Sequence, residues 1–273
     1  MKNKFLLALG LIGTTLVASS AACVTDSEVP APMPAGTATT VLAATSFEGS
    51  FDPFDVYSDS PTSLSSITIV TDPTAPDGHE VAEISQEPGV KEGSFVGGIA
   101  YEFPPDAQPT QLWGQFFFKV SSNYVWHSVA NKLVYMRMGY QHPVLGTTQT
   151  DHILGINNQW IDSANIGWST QHTTNEDLNQ TVCARTPEFT RETWHKVVFD
   201  IKMNTPGQYN GIGRIWLNDE LVIDADDIMW LNAGNSGGVA DFRLTPLWGG
   251  SGPEVIQQTQ YIYFDAVILK TGS

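Results

Sequence analysis

The chain has 273 residues, with 13 Lys plus Arg against 29 Asp plus Glu, and a formal net charge of −16. Such acidity speaks against nucleic acid as a partner, because phosphate binding needs a basic surface. Two cysteines, and six histidines without short paired spacing, leave no tetrahedral zinc set.

Residues 1–22 read as an export signal. Lys2 and Lys4 form its positive end, and Ser20-Ala21-Ala22 supplies small residues before a cut. The apolar run between them, Phe5 to Val17, is shorter than the roughly 20 residues that span a bilayer. Removing the leader takes away two positive charges, so −16 becomes −18. Cys23 stands directly after the cut. This resembles the signal of bacterial lipoproteins, whose first mature residue is a lipid-modified cysteine, although Ser20 occupies the position where that family has leucine. The resemblance implies an exported protein held at the outer membrane or cell surface through a lipid anchor alone, or a secreted one where Cys23 is not acylated. Pro30, Pro32, Pro34 and Gly36, with no apolar period, extend the anchor into a flexible tether over 23–45. Residues 46–273 are then one domain.

Strand signals follow one another through that domain. Ser66–Thr71 and His79–Ser85 come first, then Val96–Phe103. In Leu112–Val120 the residues Leu112, Gly114, Phe116, Phe118 and Val120 share one side, the period-two pattern of a half-buried strand. Asn131–Met138 and Asp151–Asn157 are the next strands, and a polar segment runs from Ser169 to Thr190. Trp194 to Asp224 reads as a three-stranded meander, broken at Asn204-Thr205-Pro206-Gly207 and turned tightly at Asn218-Asp219-Glu220. Phe242–Pro246 and Tyr261–Leu269 close the sheet. No stretch longer than about one turn has helical period. The expectation is an all-β fold, an antiparallel β-sandwich.

Several of these pieces carry a resemblance. Trp194-His195, Ile215-Trp216-Leu217-Asn218 and Leu221-Val222 resemble the framework of concanavalin A-like jelly rolls. Phe116 to Ser121, Asn131-Lys132-Leu133, Asn204 to Gly207 and Thr245 to Gly250 resemble polysaccharide lyase-like proteins of that class, of the alginate and glucuronan lyase type. The resemblance implies β-elimination on a uronate-containing polysaccharide. The Arg-Thr-Glu-Leu-Arg run of alginate lyases is absent, and so is the Glu-x-Asp-x-x-Glu strand of related glucanases, whose retaining mechanism needs two carboxylates about 5 Å apart. A non-catalytic carbohydrate-binding module and a surface structural protein are the alternatives on the same scaffold.

From Ala107 to Thr150 there is no Asp or Glu, while Lys119, His127, Lys132, Arg137 and His142 lie within that stretch. This basic island suggests a groove for an acidic or polyhydroxyl chain. Uronate elimination needs a group to neutralise the carboxylate and groups to move protons. Arg137 suits the first task, and Tyr135 and His152 the second. Asn131, Leu133, Tyr135 and Arg137 share a face if the strand has no bulge. Lys119, Lys132, Trp168 and Trp248 are the expected sugar contacts. Gly234-Asn235-Ser236-Gly237-Gly238 lacks the strand-then-helix context of a serine nucleophile and reads as a turn. Cys183 reads as an inert thiol. Related jelly rolls pair a carboxylate near the first strand with one on the last, which makes Glu48 and Asp265 candidate calcium ligands.

Overall fold

The structure, a computed structural model, describes residues 39–57, 66–94, 97–127, 131–139, 150–160, 163–172, 180–186, 189–249 and 252–272. Among them the regular elements are all strands. In chain order they are β1 (Thr39–Thr45), β2 (Asp55–Tyr57), β3 (Ile67–Thr71), β4 (Glu80–Gln86) and β5 (Gly98–Glu102). Then come β6 (Gln111–Val120), β7 (Asn131–Met138), β8 (Thr150–Trp160), β9 (Ser163–His172) and β10 (Thr181–Thr186). The last five are β11 (His195–Lys202), β12 (Gly211–Leu217), β13 (Glu220–Ile228), β14 (Val239–Trp248) and β15 (Gln260–Gly272).

They form two antiparallel sheets packed face to face, a jelly roll. One sheet has the order β13-β12-β11-β6-β15-β4-β3, with β1 also pairing on β15. The other has the order β10-β9-β8-β7-β14-β5-β2. The alternation read from the sequence decides which side chains enter the space between them. Phe116 and Phe118 of β6, Phe199 of β11 and Phe264 of β15 point inward from the first sheet, and Val134, Met136 and Phe242 from the second. Phe199 and Phe242 stack across the gap, 5.8 Å between ring centres and 17° from parallel. Gly114 makes room for that stack, since a Cβ there would lie 2.0 Å from Phe199 Cζ.

The meander of β11, β12 and β13 appears as read. Asn218 and Asp219 both take positive φ, 50° and 71°, the backbone of a tight two-residue hairpin turn. β1 and β10 lie inside segments expected to be irregular, and β9 ends in one. β1 pairs with β15 from Thr39 onward, within the expected tether. β10, within the expected polar segment, pairs in register with residues 164–169 of β9. One expectation about a face is corrected. β7 carries an extra residue at Leu133 relative to β8, so Leu133 and Val134 are both in the core. Leu133 therefore does not share a side with Tyr135 and Arg137.

Candidate functional site

The outer face of the seven-stranded sheet gathers the candidate residues. Across the pairing of β7 with β8, Lys132 lies opposite Gly155, Tyr135 opposite Ile153 and Arg137 opposite Asp151. Residues 151, 153 and 155 alternate without interruption along β8, so their three partners share a side. The bulge brings Lys132 onto the face of Tyr135 and Arg137, because it inserts one residue between them. Gly155 in turn faces Gly167 on β9.

β14 supplies the other half. Arg243 lies opposite Tyr135, and Asp241 opposite Arg137. Asp241 is fully buried, at 0% exposure. One of its oxygens accepts the Arg137 backbone N–H at 3.1 Å, and the other accepts from the Arg137 guanidinium. The same oxygen accepts Arg243 Nε at 3.0 Å and pairs with Arg243 Nη2 at 2.9 Å. One carboxylate thus orients two guanidiniums on adjacent strands. Arg243 also lies over the Tyr57 ring, 5.2 Å from its centre, and the Tyr57 hydroxyl meets Thr245 Oγ1. Gly98 permits this meeting: a Cβ there would be 2.4 Å from the Leu244 carbonyl oxygen and 2.7 Å from Thr245 Oγ1. Burial works to lower the pKa of Arg243, and Asp241 and Tyr57 together outweigh it, so the net shift is upward.

The basic island does not survive folding as a positive surface. Lys119 belongs to the other sheet. Its ammonium pairs with Asp72 and lies 4.9 Å from the Trp194 ring centre and 5.2 Å from that of Tyr263. Burial works to raise the Asp72 pKa, and the hydrogen bonds from Lys119 and Thr74 more than reverse it. His127 is buried, with Nε2 3.0 Å from Glu92. Arg137 has Asp241. Each of these carboxylates lies far from the island in sequence, so the local count missed them. Lys132 differs. Among the described residues its ammonium has no ion-pair partner, and burial alone pushes its pKa below the ordinary lysine value.

The remaining candidates are placed as follows. His152 is the register partner of Met136, a core residue, and not of Tyr135 or Arg137. The side chains of His152 and Trp168 lie outside the described set, as do Cys23 and His142 altogether. Trp248 is buried, donates its indole N–H to the Val125 carbonyl at 2.8 Å, and packs edge-on against His127. It borders a cavity of 510 Å³ shared with Val125, Pro253 and Ile256. Sequence reasoning missed Asp241, Arg243, Glu102, Tyr57 and Thr245. For β14 the signal was available: Asp241, Arg243 and Thr245 alternate with Phe242 and Leu244.

Glu48 and Asp265 do converge, on the loop from Asp77 to Glu80. Glu48 Oε1 accepts the His79 and Glu80 N–H groups at 2.6 and 2.7 Å. Asp265 accepts the Asp77 N–H at 2.9 Å through one oxygen and the Ala266 N–H at 2.6 Å through the other. The two carboxylates fasten a loop through its N–H groups. Among the described residues no group of three or more His, Cys, Asp or Glu is arranged to hold a metal ion. The fit to calcium is therefore poor, and no chemistry is assigned to it.

The comparisons with known proteins agree with this architecture. A family described as polysaccharide lyase 14 matches residues 156–267, which span β9 to most of β15. No curated protein matches the chain by sequence. Among solved structures, an endo-β-1,4-glucuronan lyase from the fungus Trichoderma reesei superposes with a TM-score of 0.57 at 14% identity, covering 81% of this chain and 92% of that one. A polysaccharide lyase 14 alginate lyase from Aplysia kurodai gives 0.57 at 14%, covering 82% and 92%. An alginate lyase variant with one lysine and one tyrosine replaced by alanine, in complex with alginate tetrasaccharide, gives 0.53 at 15%, covering 70% and 80%. These structural matches agree in fold with the two antiparallel sheets described above. In fold and in part of its sequence, the chain resembles the alginate and glucuronan lyases of the jelly-roll class.

Proposed function

We propose that this protein cleaves a uronate-containing polysaccharide by β-elimination on the outer face of the seven-stranded sheet. The observation that carries the reading is the grouping of Lys132, Tyr135, Arg137 and Arg243 on two adjacent strands, with Asp241 fixing both guanidiniums beneath them. In that reaction a base removes the proton beside the carboxylate. The glycosidic oxygen on the neighbouring carbon then leaves with a proton, and a double bond forms between the two carbons. An arginine pairing with the carboxylate stabilises the charge that develops. Lys132 suits the base, because a lowered pKa leaves more of it as the neutral amine near neutral pH. Tyr135 suits the acid that protonates the leaving oxygen. A structural neighbour at 15% identity is an alginate lyase variant in complex with alginate tetrasaccharide, which supports a uronate polymer as the ligand.

The test is direct. Purified protein is offered alginate, glucuronan and other uronic polymers, and the ultraviolet absorbance of an unsaturated uronate is followed. Wild type should produce the band, Arg137→Ala should abolish it without unfolding the domain, and Tyr135→Phe should bind and not turn over. Binding without the band in wild type would mean a carbohydrate-binding module. Export and anchoring belong to the same reading: a lipid on Cys23 would hold the enzyme at the surface where such polymers are met. Fatty-acid labelling of wild type and not of Cys23→Ser is the expected result.

A further inference from the structure

Glu102 sits on the same two guanidiniums as Asp241 and is otherwise its opposite. It lies on β5, the register partner of Asp241. A single oxygen, Oε1, stands 3.4 Å from Arg137 Nη2 and 3.5 Å from Arg243 Nη2. The Glu102 side chain is 66% exposed, against 0% for Asp241 and 18% and 22% for the two arginines. The arginines are therefore layered between a buried carboxylate and an exposed one. The buried one is close, at 2.9 to 3.0 Å from Arg243. The exposed one is at the outer limit of a charge-assisted hydrogen bond, where such contacts weaken.

Two consequences follow from elementary electrostatics. Orientation of the guanidiniums comes from Asp241, which makes the short bonds and is shielded from water. Glu102 adds little to that orientation, because an exposed ion pair contributes little to stability. What Glu102 does do is place a negative oxygen against both Nη2 groups, the same nitrogens that Asp241 holds from the buried side, each of which has a second N–H to give. An incoming uronate carboxylate needs those same donors and the same potential.

We propose that Glu102 stands in for the ligand carboxylate: it is a displaceable internal counter-ion that an acidic sugar must push aside to reach the Arg137–Arg243 pair. The inference rests on the reading that the pair receives a uronate. It makes Glu102 a specificity-determining residue, one that raises the threshold for acidic ligands in general and leaves neutral ones untouched. It also explains why a site built to take an anion carries no net positive charge at its arginines.

The experiment compares wild type with Glu102→Gln, which keeps the shape and removes the charge. Oligomers of alginate and of glucuronan are the probes, and a neutral glucan oligomer is the control. Binding is measured by calorimetry, turnover by the ultraviolet band, and folding by thermal melting. Glu102→Gln should melt with wild type and bind the acidic oligomer about 2- to 5-fold more tightly, the range that one exposed pair supports. KM should fall by the same factor with kcat unchanged, and the gain should shrink as salt is raised from 50 to about 500 mM, because exposed charges are screened. The neutral oligomer should not distinguish the two proteins. Equal or weaker acidic binding by Glu102→Gln, with wild type active, overturns this inference and leaves the lyase reading standing. If neither protein binds or cleaves any uronate oligomer, both fall together.

Discussion

Lys132 contributes with opposite signs to stability and to chemistry. Its pKa in the folded protein is below the ordinary lysine value, so folding releases a proton in the window between the two. Stability then rises with pH through that window, and below it the half-buried ammonium opposes folding. Lys132→Met should therefore raise the melting temperature at pH 7 and flatten the climb toward pH 10, while abolishing any turnover. A variant that melts lower than wild type at pH 7 would show that the ammonium has a stabilising partner. At this scale the sequence put Tyr135 and Arg137 on one face with Asn131 and Leu133, and the bulge, which strand pairing sets, puts Lys132 there instead. The basic island misled for a related reason. A run of sequence counts its own carboxylates, whereas Asp72 and Glu92 arrive from connecting segments and Asp241 from another strand.

Among the elements, the loop from Asp77 to Glu80 is held by two carboxylates whose pKa values move apart. Glu48 is lowered, chiefly by the Glu80 and His79 N–H groups. Asp265 is raised to about 6, chiefly by burial, with its two N–H donors opposing and Asp77 and Glu48 adding repulsion. A raised carboxyl favours the folded state below its ordinary pKa of 3.8 and loses that contribution as pH climbs through about 6. Between roughly pH 4 and 6, then, Asp265 should make stability fall as pH rises, and Asp265→Asn should lessen that slope in urea titrations. Glu48 has the reverse sign, so Glu48→Gln should lose stability only above its ordinary range. Melting in chelator and in millimolar calcium should coincide if the pair serves as a loop clamp alone; a calcium-dependent rise that Asp265→Asn removes would restore the ion. The elements legible in advance were those with strict apolar alternation, such as β6 and β11 to β13. β1, β9 and β10 were not, because Ala, Ser and Thr alternate without contrast and only their partners reveal them as strands.

At the scale of the molecule, the candidate face and the core are two sides of one strand. Asp241 and Arg243 of β14 face the candidate site, and Phe242 between them stacks on Phe199 of the opposite sheet. Phe199 in turn closes over Gly114. Gly114→Ala would force the Phe199 ring away, and overpacking of this kind costs about 1–3 kcal/mol. The expected outcome is a lower urea midpoint with unchanged slope, accompanied by weaker binding of acidic glycan, because Phe242 positions the backbone from which both charged residues project. Loss of stability with intact affinity would show that the face tolerates movement of its foundation.

The bulge in β7 bears on how related chains are recognised. A strand with the extra residue spells Lys-x-x-Tyr-x-Arg, as here from Lys132 to Arg137. A strand without it would spell Lys-x-Tyr-x-Arg and present the same three groups to the same side. A search for either spacing alone would divide proteins that share one surface, and alignments that keep the columns ungapped would set the lysine of one against a core residue of the other. For this architecture, a pattern that allows one or two residues between the lysine and the tyrosine is the appropriate query.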